Sequence, residues 1–316
     1  MRNITIIASA CVTLGLCGMA AADIKTFQPN TGTWHDEDNW SPTGIPTAAD
    51  RAVIPAGKTC NIDSDDAIAD TIVVASTGLL YIYPSYTLTL ENNNNNIDSA
   101  PDDHEINGDV VMLVNPSGPP TAGGSIAFTS LDHRVDGDGT VWGDNPTYCV
   151  VSIAANIKLI NRLAEAGQGM RGSMTIEGLT GTTNGKFRNE GLVEADGKGH
   201  IILASTTILE DISDAFWNIG DCFSHMTFER ESLNLNGDFT HVDNGRYHFN
   251  QSVKTCGTYT RNCGWIDVGS GKTFSYVEFV DGSGSCGNPG SATGDPVTCN
   301  APYVVSADAN GLSCTE

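Results

Sequence analysis

Acidic side chains are the commonest groups in this sequence that could do chemistry, with 38 Asp and Glu against 16 Lys and Arg. They are densest at Asp63-Ser64-Asp65-Asp66, Asp102-Asp103-His104-Glu105 and Asp136-Gly137-Asp138. Two carboxylates at the right separation run glycoside hydrolysis, one giving a proton while the other attacks or activates water. Spacing along a chain does not set that separation, and acids beside Gly and Ser are turn residues by default. Calcium is the other use. Asp136, Asp138 and Thr140 alternate as at the start of a calcium loop, but Val141 stands where the sharp-turn Gly belongs and Thr147 where the bidentate Glu belongs. Asp136, Asp138 and Asp144 are therefore the candidate ligands of a calcium site of another geometry, set against the plain alternative of an Asp-Gly turn.

Other chemistries leave no mark. Serine-hydrolase elbows, HExxH and phosphate loops are missing, and no cysteine or histidine group has zinc spacing. The 7 His are dispersed; His241 and His248 could lie on nearby strands, where a lone His is usually structural. A regular Thr-x-Thr array, which could order water, is also lacking; Thr87-Leu88-Thr89 is an isolated run. The formal charge of −22 argues against nucleic acid as a partner, because phosphate contacts need Lys and Arg. It argues equally against docking on anionic lipid.

The elements that would carry any site are short strands. Gly (35), Pro (13) and frequent Asn suit tight turns between strands and suit long helices poorly. The clearest strand candidates are Thr71 to Val74, Asp109 to Val114, Ser125 to Phe128, His200 to Leu203 and Thr273 to Val280. Asn156 to Ala166 fits either a short helix or a strand. The five consecutive asparagines Asn92 to Asn96 fit a protruding loop, since a buried Asn ladder needs one Asn per rung. Arg188 to Ala195 aligns with Arg261 to Val268 at an offset of 73 residues, with a looser copy at Val242 to Phe249. Such spacing fits about three rungs of a solenoid. It also puts Glu194 and Asp267 at equivalent places, making them candidates to face the same way.

The opening segment carries the most distinctive pattern. It holds Gly32-Thr33-Trp34, Asp38-Asn39-Trp40-Ser41, Gly44-Ile45-Pro46, Asp50 and Ile54-Pro55-Ala56-Gly57, followed by short strands through Leu90. This resembles the opening of secreted bacterial β-solenoid surface proteins and is similar to G8-type all-β modules. The resemblance covers about 65 residues and implies an all-β chain built as a single-stranded right-handed parallel β-helix with an N-terminal cap. Trp34 and Trp40 would plug the open end of such a coil; the alternative use of the two rings is as a sugar-binding platform.

Residues 1–22 read as a secretory signal peptide: Arg2, an apolar stretch from Ile4 to Met19, then Ala20-Ala21-Ala22. Its removal takes Arg2 and moves the charge to −23. No later segment has transmembrane length. Eight cysteines remain, an even number that favours disulfides in an exported chain. Cys256 with Cys263 and Cys286 with Cys299 are plausible local pairs within a Cys- and Gly-rich tail. The expected division is 1–22 signal, 23–63 cap and first strands, 64–280 solenoid, 281–316 tail. Three functions fit: a non-catalytic secreted or cell-surface protein with a structural, adhesive or glycan-contacting role; a carbohydrate-active enzyme; or a self-assembling filament or matrix subunit. The partners expected are polysaccharide, cell-surface components or further copies of the chain.

Overall fold

The computed structural model describes residues 23–92, 104–115, 121–163, 168–211, 215–220 and 224–230, together with strands between 233 and 315 whose side chains are described in part. Residues 1–22, where a leader is expected, the asparagines from 93 to 96 and the side chains of Cys256, Cys263, Cys286 and Cys299 lie outside the described residues. Among the described residues the fold is all-β, the one helical turn being Glu37–Asn39. No helix there is long and apolar enough to cross a membrane.

The pairing repeats. Arg51–Ile54, Thr59–Ile62 and Ala67–Ala69 are followed by Thr71–Val74, Leu79–Ile82 and Thr87–Leu90. Each strand of the second trio pairs in parallel with its counterpart in the first. The same step recurs along the chain, so successive strands fall in turn into three curled parallel ladders. Parallel pairing runs from Ile24–Phe27 as far as Ala292–Thr293. The second and third ladders share the ten-residue strand Gly169–Gly178, whose first half pairs with Thr140–Asp144 and second half with Val150–Ile153. The last strands, Val304–Asp308 and Gly311–Thr315, pair antiparallel.

Alternation explains the core. Thr59–Ile62, Leu79–Ile82, Asp109–Met112, Ser125–Phe128, Val150–Ile153 and His200–Leu203 all bury every second residue. Side chains on a strand alternate between faces, and identical register stacks the inward ones in columns. One column of the third ladder runs Leu88, Ile126, Val151, Ile176, Leu203, Phe228 and Phe249. All seven are buried, and each such side chain contributes roughly 1.5–3 kcal/mol by leaving water.

Where a column turns polar, it is satisfied internally. Asn161, Asn189 and Asp211 are in register in the first ladder and buried. The Asn161 amide donates to Asn189 Oδ1 (2.9 Å) and to Leu192 O (3.1 Å). Asn189 Nδ2 donates to Phe216 O at 3.1 Å, and the Trp217 indole donates to Asp211 Oδ2 at 3.0 Å. This is an Asn ladder with one member per strand, in a place the sequence reading did not look.

The opening motif is accounted for by packing. Trp34 and Trp40 are 0% and 2% exposed, edge to face at 4.9 Å, with Phe27 against Trp40 at 5.3 Å. Trp40 Nε1 donates to Trp34 O at 2.8 Å. Asp50 ties its turn by accepting from Thr47 N (2.9 Å), Thr47 Oγ1 (2.7 Å) and Asp23 N (3.0 Å). Asn39 Nδ2 donates to Thr33 O across Gly32, where a Cβ would meet that amide at 2.8 Å.

Candidate functional site

Outward positions of the second ladder form a column of different chemistry. Tyr81, Val111, Trp142, Arg171, Glu194 and Asn218 follow one another in register on six successive strands. Trp142 is outward because Val141 and Gly143, its neighbours in Thr140–Asp144, are buried. Its indole lies against Gly172 on the adjacent strand. That glycine has φ +84°, and a Cβ there would sit 2.8 Å from indole Cε2, so both backbone and space require glycine. The indole N–H donates to Asp144 Oδ1 at 3.0 Å.

The next two strands carry an ion cluster. Arg171 Nε lies 2.5 Å from Glu194 Oε2, and the same guanidinium pairs with Asp196. Asn218 Nδ2 donates to Glu194 Oε1 at 2.5 Å. Gly220 leaves the room Glu194 needs, since a Cβ there would meet Glu194 Oε1 at 2.6 Å. Glu194 is buried beneath these partners, while Arg171 and Asp196 are half-buried and Asp144 is exposed. Chemically the face offers the flat apolar ring of Trp142, one exposed carboxylate at Asp144 and a guanidinium fixed in place. A general acid must reach its substrate with a proton to give, whereas Glu194 and Asp196 are both engaged by one guanidinium and Glu194 also by an amide.

The residues singled out from the sequence scatter. Asp136 ends His133–Asp136 in the first ladder, Asp138 is exposed in the turn after it with its N–H on Asn107 Oδ1 (3.1 Å), and Asp144 ends a strand of the second ladder. Among the described residues no group of three His, Cys, Asp or Glu is placed to hold a metal ion. Trp34 and Trp40 are buried, so neither ring is open to a sugar. Glu194 and Asp267 are not equivalent. Val193 aligns through Trp217 and Phe239 with Tyr259 in the second ladder. Asp267 belongs to the third, opposite His248. The repeat pairs a segment that joins the first and second ladders with one that joins the second and third, both having Asn and Gly between their strands in sequence. In the cluster at 63–66, Asp63 accepts from Thr33 Oγ1 (2.6 Å) and Asp66 from Thr87 N (2.8 Å), which is turn chemistry.

Five of the histidines fall into two groups. His104 and His133 are buried in the first ladder with Nε2 and Nδ1 2.8 Å apart. Ile72 N–H faces His104 Nδ1 (3.3 Å), and His133 Nε2 faces Thr129 O (2.7 Å). The partners set the tautomers: both rings are neutral, and every ring nitrogen is used. Burial holds His104 well below the usual range, with His133 and Arg51 adding to the effect. Burial brings His133 down to about 4, against the opposing pull of Thr129 O, Asp132 and Glu91. His200, His225 and His248 form the second group, outward on the third ladder.

Cys60 and Cys149 are free thiols, both buried. Burial, reinforced by Asp63, pushes the Cys60 thiol well up, and burial raises Cys149. Two of the eight cysteines expected after the leader are thus unpaired. One interior cavity, of about 10 Å³, is lined by Ile72, His104, Phe128 and Met170 among others, which is room for about one water and not for a ligand.

Sequence reasoning picked out Asp144 and passed over Trp142 and Arg171, whose outward direction shows only once the register is known. No protein-family model matches the chain, and no similar curated protein or solved structure was found.

Proposed function

We propose that the three ladders are the faces of one single-stranded, right-handed parallel β-helix, closed at its start by the segment holding Trp34 and Trp40, and that the protein is secreted or surface-held and contacts glycan without turning it over. Right-handedness follows the general preference of parallel crossovers. A coil of this kind needs a cover over its first strands, which the buried tryptophan pair supplies. Export rests on the leader at 1–22 and on the likeness of the opening motif to secreted bacterial β-solenoid proteins and G8-type modules. The cysteines from Cys256 onward would staple the C-terminal tail, with Cys256–Cys263 and Cys286–Cys299 as the local pairs.

The observation that carries the glycan reading is the outward indole of Trp142, seated on Gly172 with Asp144 at its N–H and the Arg171 cluster on the following strands. A flat apolar ring beside fixed polar groups suits the C–H face and hydroxyls of a sugar. The non-catalytic reading is supported by the engagement of Glu194 and Asp196 with Arg171. The test is a glycan array run beside a polysaccharide-degradation screen, each with and without calcium. Binding without release of reducing ends or unsaturated products supports the proposal. Product release would sink its non-catalytic half, and a blank array would sink the glycan half.

A further inference from the structure

We propose that His225 and His248 form a two-imidazole binding site for a divalent late first-row transition metal on the outer face of the third ladder, with water filling the remaining positions. His225 Nδ1 and His248 Nε2 are 3.0 Å apart, from adjacent parallel strands. Their rings lie within 4° of parallel with centroids 5.3 Å apart. The two nitrogens therefore point at one another and share a proton. When the donating ring carries its proton on its other nitrogen instead, each of the two presents a lone pair to the same point. Two imidazoles bound to one ion by bonds of about 2.0–2.1 Å hold their nitrogens about 2.9–3.4 Å apart. The separation already fits; the rings need only turn about their Cβ–Cγ bonds to aim the lone pairs.

Two further observations favour a cation here. His200 lies on the next strand over, its ring 5.6 Å from that of His225 and 6.5 Å from that of His248, with Nε2 on Thr227 Oγ1 at 2.8 Å. The chain as a whole carries −22, which draws cations and repels anions. The other groups in register around the pair are Arg246 opposite His225 and Asp267 opposite His248. Both histidines are half-buried on a face open to solvent, and their strands are paired on either side, so backbone reorganisation is small. Imidazole ligands suit Cu²⁺, Zn²⁺ and Ni²⁺, with Cu²⁺ the tightest of the series.

The experiment is titration of the full chain with Cu²⁺ alone, followed by calorimetry and electron paramagnetic resonance. One Cu²⁺ per chain with coupling to two imidazole nitrogens is expected at pH 7.5, weakened at least tenfold at pH 5 as protons compete. His225→Asn and His248→Asn should each weaken binding at least tenfold, while His35→Asn, on a distant turn, should not. Circular dichroism checks that each variant keeps its sheet signal; where one does not, the nitrogen count in the unmodified chain decides. A spectrum without imidazole nitrogen, or binding that survives both substitutions, overturns the proposal.

Discussion

Lowering the pH should destabilise this fold through His104 and His133, and His133→Gln should remove much of the effect. In the folded chain both rings are neutral, and each nitrogen already has a partner of the right kind. A proton added to His133 Nδ1 would face the N–H of His104, and one added to His104 Nδ1 would face the N–H of Ile72. Unfolded, a histidine takes up its proton near pH 6.5; folded, His133 does so only at about 4. The unfolded chain therefore binds more protons between those values, and stability falls as the pH drops through that window. At 1.36 kcal/mol per tenfold, the loss assigned to His133 is about 2–3 kcal/mol by pH 4.5. Urea denaturation followed by tryptophan fluorescence at pH 7.5, 6.5, 5.5 and 4.5 measures it. Carboxylates titrate in both chains, so the difference between wild type and His133→Gln isolates the histidine. At pH 7.5 the variant should be less stable by about 1–3 kcal/mol, because the buried His104 loses its partner. Its stability should then decline less steeply with acid. Parallel decline in the two chains would refute the neutral-pair assignment.

Two further outcomes are expected. Asn161→Ala removes donors to both Asn189 and Leu192 O and leaves a small void, so it should lower stability by about 2–4 kcal/mol, read as a drop in thermal midpoint; an unchanged midpoint would count against the ladder. Cys60 and Cys149 should resist alkylation in the native chain and label readily in denaturant, followed by peptide mass mapping; rapid native labelling of either would contradict its burial.

Much of the fold is legible in the sequence because strand alternation is local. Thr71 to Val74, Ser125 to Phe128 and His200 to Leu203 are strands with those bounds, and Asn156 to Ala166 resolves into the strand Lys158–Asn161. Thr273 to Val280 splits into Phe274–Ser275 and Glu278–Asp281. Register is not local. The 73-residue repeat matches a join between the first and second ladders with one between the second and third, since both carry Asn and Gly between two strands in sequence. The candidate site depends on register throughout. Trp142 and Trp34 look alike in sequence, yet one faces out over a glycine and the other is sealed in the core. The Asn ladder was missed for the same reason, its members standing 28 and 22 positions apart.

The central claim is that the outer face of the second ladder contacts glycan through Trp142. The most direct measurement compares Trp142→Ala with wild type on the same glycan array, with circular dichroism to confirm the sheet. Loss of the array signal from a folded variant is predicted, since the ring is half-buried on the outer face and its removal opens no core cavity. Glycan binding that persists unchanged in folded Trp142→Ala would contradict the account.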